Sequence, residues 1–321
     1  MKVAVTGANG FLGSWICRQL GANHEVLALV RPSSNIHNLS DMYNLRIFRG
    51  AYSVFEEVLK TERPQVLILN DWWGVQNEFR NDTRQFQNIK RVLDTVNFAV
   101  NAGVKTIIGI GSQAELGSHS APIYESTTGI PTSTYGRAKA LVKESLEDLL
   151  SYSNIRFVWA RIFSTYGPLD NGNWLIPMLT DSLLNDQKFN LTLGEQQWSY
   201  LHAYDLARAL NEIVINQEIN GVVHIGNPST ESIYNIAVLI AEKIGKKHLL
   251  NFGSIEYRTD QVMYLKPVCE TLLKYGWTPH IDLPDGLNQT LRWLQGFSKL
   301  GLKLNNGTSI DFRLPVRQLF R

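Results

Sequence analysis

The sequence has few cysteines, which excludes several classes of small stabilised domain. Cys17 and Cys269 are the only two cysteines among 321 residues, and they stand far apart. Such usage excludes a disulfide framework and a CxxC metal pair, and it is typical of a reducing compartment. The seven histidines form no spacing such as HExxH, so we expect no metal site. Cys17 lies in the apolar run SWICRQL, which predicts a buried and inert thiol.

The sequence also lacks a charge excess and a long apolar run. Its formal net charge of +2 is too near neutral to indicate a nucleic acid or a membrane surface as a partner. No uninterrupted apolar stretch approaches the roughly 18 residues that a membrane-spanning helix needs. The chain passes from MKVAVTG straight into a predicted strand, which leaves no room for a secretory signal. We therefore expect a cytoplasmic protein without nucleic-acid or membrane partners.

Short runs rich in valine, isoleucine and leucine alternate with longer segments of helical periodicity. Most of these runs are apolar on both faces, as in a parallel sheet that helices cover on both sides. The strand candidates are KVAVTG, EVLALV, LRIFRG, QVLILN, KTIIGIGS, RFVWARI and GVVHIGN. The alternation predicts an α/β fold, namely a Rossmann-type doubly wound parallel sheet with a smaller C-terminal substrate lobe.

The alternation of strands and helices ends after RIFSTYGP, where GPLDNGNW is rich in turn residues. Because the glycine-rich segment TGANGFLG follows the first predicted strand, we predict a dinucleotide-binding Rossmann domain over residues 1–168, with residues 200–230 returning to it. Residues 169–199 and 231–296 are predicted to form the substrate-binding lobe. Residues 297–321 are predicted to be a C-terminal extension without an assigned task.

A glycine-rich segment, TGANGFLG, follows the first predicted strand. In a dinucleotide-binding turn, glycines permit the sharp bend, let the backbone approach a pyrophosphate and let the helix pack closely on the strand. The N–H groups at the start of the helix would then face an anion. A glycine-rich turn that binds no ligand is the alternative. We predict cofactor contacts along this turn, at Gly7, Asn9, Gly10, Phe11, Leu12 and Gly13.

The end of the second predicted strand bears on the choice of dinucleotide. NAD enzymes usually carry an acidic residue there, which binds the ribose hydroxyls. Here EVLALV is followed by Arg31, with Ser33 nearby. An arginine can pair with a 2′-phosphate through charge-assisted hydrogen bonds, and it gives NAD no comparable partner. Although a surface arginine is the alternative, we predict that NADP(H) is favoured over NAD(H), with Arg31 and Ser33 as contacts.

Three polar residues form a candidate proton-transfer centre. Tyr135 and Lys139 share one face of a predicted helix, and an ammonium near a phenol lowers its pKa. Ser112 ends a predicted strand and is expected to face the same crevice, where its hydroxyl would orient a carbonyl. A packed tyrosine, a solvated lysine and a capping serine are the alternatives. Together the residues predict a catalytic set of Ser112, Tyr135 and Lys139, in which Tyr135 and Lys139 also contact the cofactor.

The sequence resembles the extended short-chain dehydrogenase/reductase superfamily, also called the NAD-dependent epimerase/dehydratase family. The resemblance lies in the GxxGxxG turn and in the serine, tyrosine and lysine described above. The resemblance covers about residues 1–296 and includes YGP at Tyr166–Pro168 and FGSIEYRTDQVMYLKP followed by GWTP. These segments are similar to those of nucleotide-sugar 4-ketoreductases such as the CDP-abequose synthase group. The resemblance implies a nucleotide-sugar substrate.

The same resemblance implies further site residues and an assembly. Arg258 would bind the diphosphate of the substrate, with a salt-bridged arginine as the alternative. Ser164 takes the place of the asparagine in FNxYGP, and Trp72 lies in LNDWWGV, where the family commonly has HLAA. Both side chains are expected to face the substrate, with a rearranged loop as the alternative for the segment that carries Trp72. The resemblance also implies a homodimer that pairs through helices near Asn81–Gly103 and Thr134–Leu150.

Departures from the family pattern narrow the chemistry. The 4,6-dehydratases carry an Asp-Glu pair after the Ser/Thr, where this sequence has Gln113 and Ala114. GDP-fucose synthase has a cysteine near this serine, where this sequence has Ala114. The family's RDF reads Trp198, Ser199 and Tyr200. We therefore predict an oxidoreductase that reduces a nucleoside-diphosphate 4-keto-6-deoxyhexose with NADPH in deoxysugar biosynthesis. An NAD(P)-dependent nucleotide-sugar epimerase and a non-catalytic cofactor-binding sensor or scaffold are the alternatives.

Overall fold

The computed structural model describes residues 1–42, 44–170, 172–258 and 261–299. Its strands are, in chain order, β1 (Lys2–Thr6), β2 (Glu25–Val30), β3 (Leu45–Arg49), β4 (Val66–Leu69), β5 (Thr106–Ser112), β6 (Arg156–Ile162), β7 (Ser164–Tyr166), β8 (Phe189–Asn190), β9 (Gln197–Trp198), β10 (Tyr200–His202), β11 (Gly221–Ile225), β12 (Glu231–Ser232), β13 (Leu250–Asn251) and β14 (Tyr264–Leu265). Its helices are α1 (Phe11–Leu20), α2 (Tyr52–Glu62), α3 (Gln87–Asn101), α4 (Thr134–Leu150), α5 (Leu175–Leu184), α6 (Ala203–Ile215), α7 (Ile233–Ile244), α8 (Glu270–Lys274) and α9 (Leu283–Lys299). From residue 300 onward, the predicted C-terminal extension lies outside the described residues.

Parallel strands form the main sheet, in the order β11-β6-β5-β4-β1-β2-β3. The order runs outward from β1 in both directions, so successive crossover helices cover opposite faces of the sheet. The central strands β1, β2, β4 and β5 are buried along most of their length, whereas the edge strand β3 is largely exposed. This arrangement confirms the predicted Rossmann-type α/β class.

Helices pack on both faces of the main sheet. On one face, Ile16 of α1 and Leu210 of α6 belong to the same buried cluster as the sheet side chains. On the other face, α2, α3 and α4 contribute Leu59, Val96 and Leu146 to a second buried cluster. These two apolar layers fix the sheet, and with it the positions of the strand ends.

A third buried cluster lies apart from the main sheet. It joins α5, α7 and α9 through side chains such as Leu179, Ile236 and Leu287. Two small sheets accompany it, one pairing β8 with β13 and the other placing β9 between β12 and β14. The predicted division into a dinucleotide-binding domain and a substrate lobe stays a prediction.

Both cysteines are free and buried. Burial raises the pKa of the Cys17 thiol to about 12, which agrees with the predicted inert thiol. Within the described part of the chain, no helix combines the length and the apolar character needed to cross a bilayer.

Candidate active site

A cavity of about 1140 Å³ opens at the carboxyl ends of the parallel strands. This edge of a doubly wound sheet is where ligands bind in such folds. Gly13 and Ser33, two of the predicted site residues, do not line the cavity, although both are described. The predicted residues that do line it are Gly7, Asn9, Gly10, Phe11, Leu12, Arg31, Trp72, Ser112, Tyr135, Lys139, Ser164 and Arg258.

The turn between β1 and α1 is shaped for close approach of a ligand to the backbone. Gly7 has φ +59°, and a Cβ there would lie 2.9 Å from the Cα of Asp71. Gly13 packs so closely that a Cβ would overlap the carbonyl oxygen of Gly7. Helix α1 follows Gly10, which has no side chain to cap it, so its first N–H groups can face an anion. Gly7 therefore permits the bend, Gly13 permits the packing, and the turn fits a dinucleotide pyrophosphate.

Two arginines line one end of the cavity. Arg31 is exposed at the end of β2, and among the described residues it forms no ion pair. Arg91 of α3 lines the same cavity, and the charges of both arginines act on the phenol of Tyr52. That phenol donates a hydrogen bond to Oδ2 of Asp71 at 2.7 Å. The sequence does not predict Arg91 as a site residue, because an arginine within a helical segment does not indicate which residues surround it in the fold.

Ser112 is the last residue of β5 and caps a short 3-10 turn over Gln113–Glu115. Its Oγ accepts a hydrogen bond from the N–H of Ala114 at 3.2 Å, and its own N–H donates to Oε1 of Glu115 at 2.5 Å. This reciprocal pair is a capping box, which holds the serine at the cavity wall. The Ser112 hydroxyl also hydrogen-bonds to the phenol of Tyr135. The structure therefore brings Ser112 and Tyr135 together.

Tyr135 lies in the first turn of α4, where neighbouring side chains enclose its ring. Trp72 meets the ring edge-on with centroids 6.0 Å apart, and the Cζ of Arg80 lies 4.9 Å from the ring centroid. The sequence predicts a phenol made more acidic by a neighbouring ammonium. In the structure the pKa of Tyr135 is raised instead, because burial outweighs the hydrogen bond from Ser112 and the charge of Arg80. A phenol that keeps its proton at neutral pH can donate it.

Lys139 lies one turn further along α4, and its side chain is buried. Its Nζ donates a hydrogen bond to the carbonyl oxygen of Ile110 at 2.6 Å and stands 3.8 Å from the centre of the Trp72 ring. Burial lowers the pKa of Lys139 to about 8, although the charges of Glu115 and Asp71 oppose the shift. At neutral pH the ammonium is still largely protonated, so it can donate to a ribose hydroxyl.

Aromatic rings and polar groups line the other half of the cavity. Ser164 and Arg258 lie there, together with Trp174, Trp198 and Tyr200. The rings of Trp198 and Tyr200 are stacked with centroids 6.3 Å apart. A cation combined with apolar ring faces suits a ligand that carries both phosphate groups and a ring.

A buried ion pair between Glu115 and Arg161 lies next to Ser112. Oε2 of Glu115 accepts hydrogen bonds from Nε1 of Trp159 at 2.9 Å and from Nε of Arg161 at 3.2 Å. The side chains of Glu115 and Arg161 are only 2% and 4% exposed. Arg161 also bonds to Nε2 of His224 at 3.1 Å, and burial lowers the pKa of that imidazole to about 3, so it is neutral. The sequence does not predict this ion pair, although the spacing of Ser112 and Glu115 is itself the signature of a capping box.

Asp170 is a second site residue that the sequence does not predict. It lines the cavity and is only 3% exposed, and its Oδ1 accepts a hydrogen bond from the N–H of Gly172 at 3.2 Å. Burial raises its pKa to about 7. The described residues contain no cluster of three or more His, Cys, Asp or Glu side chains that could hold a metal ion.

The raised pKa of Asp170 predicts how the free energy of unfolding changes with pH. The folded carboxyl keeps its proton up to about pH 7, whereas the unfolded chain releases it near 3.8. Between these values the folded state binds more protons, so the free energy of unfolding falls as pH rises, by at most about 4 kcal/mol. We expect Asp170→Asn to lose this part of the pH dependence in urea unfolding at pH 4.5 and 8. Equal pH dependence in Asp170→Asn and the wild type would contradict this prediction. Asp148→Asn, at an exposed position, is the control.

Comparisons with known proteins agree with this fold. The profile of the NAD dependent epimerase/dehydratase family matches residues 3–237. UDP-glucuronic acid decarboxylase 1 of Xenopus tropicalis is 23% identical over 308 residues, which cover 92% of this chain and 72% of the relative. CDP-abequose synthase of Salmonella muenchen is 20% identical over 300 residues, covering 90% and 97%. The structure of UDP-glucose 4-epimerase from Thermotoga maritima with UDP-glucose has a TM-score of 0.84 at 21% identity, covering 93% and 100%.

The family match spans most of the chain, including the glycine turn and the segments that carry Ser112, Tyr135 and Lys139. The solved structure adds the same fold over nearly the whole length of both chains. This chain therefore belongs to the NAD dependent epimerase/dehydratase family, of extended short-chain dehydrogenase/reductase type, as its sequence predicts.

Proposed function

We propose that the protein reduces the keto group of a nucleoside-diphosphate 4-keto-6-deoxyhexose with NADPH. The observation that carries the proposal is the convergence of Ser112, Tyr135 and Lys139 on one cavity with the glycine turn. Relatives that bear the name CDP-abequose synthase support the choice of substrate class. The glycine turn and Arg31 supply the features that a phosphorylated dinucleotide needs.

Tyr135, Ser112 and Lys139 each have a separate role in the proposed carbonyl reduction. The nicotinamide cofactor supplies a hydride when bound. Tyr135 donates its proton to the carbonyl oxygen as the carbonyl carbon gains the hydride, so the ketone becomes a hydroxyl and the phenolate is reprotonated from water. Ser112 donates a hydrogen bond to the same oxygen and orients it. Lys139 stabilises the phenolate electrostatically while it lasts, and it binds the ribose next to the nicotinamide.

The residues after Ser112 support reduction over loss of water. The 4,6-dehydratases use an acidic pair at this point, whereas Gln113 and Ala114 line the cavity here. Neither side chain can act as an acid. The remaining carboxylate near Ser112, Glu115, is buried and accepts three hydrogen bonds, so it is held away from a substrate. Simple hydride and proton transfer to a ketone needs no further acid.

The test is the disappearance of NADPH absorbance with 4-keto-6-deoxy sugar nucleotides of several bases. We expect stoichiometric oxidation of NADPH and one reduced sugar nucleotide per NADPH. No consumption with any base would overturn the reductase proposal. The names of solved relatives, such as UDP-glucose 4-epimerase, favour an epimerase as the second candidate. An epimerase would interconvert two sugar nucleotides without net NADPH loss, whereas a non-catalytic scaffold would bind NADPH without turnover.

The cofactor part of the proposal can be tested at Arg31. We expect Arg31→Ala to raise the KM for NADPH by about 10-fold or more and to leave the KM for NADH nearly unchanged, because a charge-assisted bond to the 2′-phosphate is lost. Steady-state kinetics with both cofactors measures the two values. Arg49→Ala, at an exposed position on the neighbouring strand β3, is the matched control. Equal losses for the two cofactors, or a wild type that prefers NADH, would count against NADP.

The proposed enzyme is a homodimer that pairs through α3 and α4. The exposed side chains of Leu141 and Leu149 on α4 support this arrangement, since they are 44% and 40% exposed in the single chain. A light-scattering mass of one chain in solution would contradict it.

A further inference from the structure

Trp72 contacts both candidate catalytic residues of α4 and has no role in the reaction described above. The Nζ of Lys139 stands 3.8 Å from the centre of its ring, so the ammonium lies over the indole. The ring of Tyr135 meets the same indole edge-on, with centroids 6.0 Å apart. Trp72 follows β4, and it therefore brings a ring from a separate segment to the two polar groups of the helix.

A buried amide holds the indole in place. Nε1 of Trp72 donates a hydrogen bond to Oε1 of Gln85 at 2.8 Å. Nε2 of Gln85 donates in turn to the carbonyl oxygens of Gly74 at 2.6 Å and Phe79 at 2.9 Å, and the Gln85 side chain is fully buried. A buried amide whose donors and acceptor are all bonded keeps one orientation. The indole face is therefore directed at the lysine before any ligand binds.

The ammonium of Lys139 has few other groups that favour its charged form. Its side chain is buried, and burial favours the neutral amine. Its Nζ donates a hydrogen bond to the carbonyl oxygen of Ile110, and it forms no ion pair with a described carboxylate. The charges of Glu115 and Asp71 act on it from neighbouring segments, but both carboxylates already accept hydrogen bonds from other side chains.

The remaining polar neighbours carry no negative charge. Burial raises the pKa of Tyr135, which lies on the same helix, so its phenol is neutral. The guanidinium of Arg80 stands over the Tyr135 ring, with its Cζ 4.9 Å from the centroid, and it is itself a cation. The face of the Trp72 indole is therefore a main source of negative potential for the lysine, because an aromatic face attracts a cation most strongly where water is excluded.

We propose that Trp72 is a positioning residue for the reduction and that its indole face keeps Lys139 charged beside Tyr135. Lys139 needs this charge to stabilise the phenolate and to donate to the cofactor ribose, so the proposal rests on the proposed function. Among aromatic side chains, tryptophan provides the most attractive face for a cation. The ring thereby offsets part of the cost of burying the ammonium.

NMR titration of the full chain tests the proposal. Lysine labelled with carbon-13 at Cε reports protonation, and the Lys139 signal is identified by its loss in Lys139→Met. We expect Trp72→Leu and Trp72→Met to lower the pKa of Lys139 by about 1, because the charged form alone loses the ring face. Trp72→Phe, which keeps a weaker ring face, should give a pKa between these variants and the wild type. Thermal melts show which variants are folded.

Trp73→Phe is the matched control. The ring of Trp73 faces Arg84, whose Cζ lies 4.5 Å from its centre, so this variant should leave the Lys139 titration unchanged. An unchanged pKa of Lys139 in a folded Trp72→Leu or Trp72→Met variant would overturn the proposal. A raised pKa would overturn it too, since the indole would then act mainly by excluding water.

The pH profile of kcat connects the charge to the reaction. We expect the loss of activity at high pH to begin at lower pH in Trp72→Leu, in step with the lysine titration. A lysine titration that moves without the activity profile would overturn the role of Trp72 in the reaction. The NMR titration needs neither cofactor nor substrate. A wild type that oxidises no NADPH would therefore overturn the proposed function alone and leave the contact of Trp72 with Lys139 measurable.

Discussion

Tyr135→Phe is expected to lower kcat for the keto sugar by about 10²–10⁴-fold and to leave the affinity for NADPH nearly unchanged. Phenylalanine keeps the ring that contacts Trp72 and Arg80 but removes the hydroxyl that bonds to Ser112. Without that hydroxyl the carbonyl oxygen must take its proton from water or from a less well placed group. Steady-state turnover measures kcat, and quenching of protein fluorescence measures NADPH binding.

The combination of lost turnover and retained binding distinguishes a proton donor from a structural side chain. Tyr152→Phe is the matched control, because Tyr152 follows the end of α4 and is 97% exposed. Turnover of Tyr135→Phe within about 10-fold of the wild type would mean that another group protonates the oxygen. Loss of NADPH binding together with a lowered melting temperature would mean that the phenol supports the fold instead.

The sheet is predictable from the sequence because its central strands are buried on both faces. Runs such as EVLALV and QVLILN contain almost no polar residue, so neither face can meet water and a helical layer on each side follows. The short strands β8, β9, β12, β13 and β14 span only two residues each. Two residues carry no periodicity, so these strands depend on tertiary contacts that the sequence pattern does not contain.

The candidate site is predictable where its residues share one local element. Tyr135 and Lys139 lie one turn apart on α4, and helix geometry alone places them on one face. Arg80, Arg91 and Asp170 come from separate segments, and their importance depends on the charges and the burial that the fold creates around them. The pKa of Tyr135 illustrates the difference, because the sequence contains the nearby lysine but not the burial of the phenol, which reverses the direction of the shift.

Glu115→Leu is expected to lower the free energy of unfolding by about 3–5 kcal/mol. The leucine removes the acceptor of the Ser112 N–H, the Trp159 Nε1–H and the Arg161 Nε–H. It leaves the guanidinium of Arg161, only 4% exposed, without its carboxylate. Urea unfolding measures the loss. Asp94→Asn, which breaks the exposed pair of Lys90 and Asp94, is the control and should cost less than about 1 kcal/mol.

The double variant Glu115→Leu with Arg161→Met separates the charge of the pair from the packing around it. Removing both charges leaves no unpaired guanidinium, so the double variant should be more stable than the sum of the two single losses predicts. Additive losses would mean that the two side chains act independently. In that case the 3.2 Å contact would contribute little to the fold.

Stability and turnover should respond differently in this double variant. Glu115 holds the N–H of Ser112, and its charge also acts on Tyr135 and Lys139. A leucine restores neither the capping box nor that charge, so we expect kcat to stay at least about 10-fold below the wild type even where stability returns. Recovery of both together would show that Glu115 serves the fold alone. Recovery of stability without kcat would show that the same carboxylate positions the serine for the reaction.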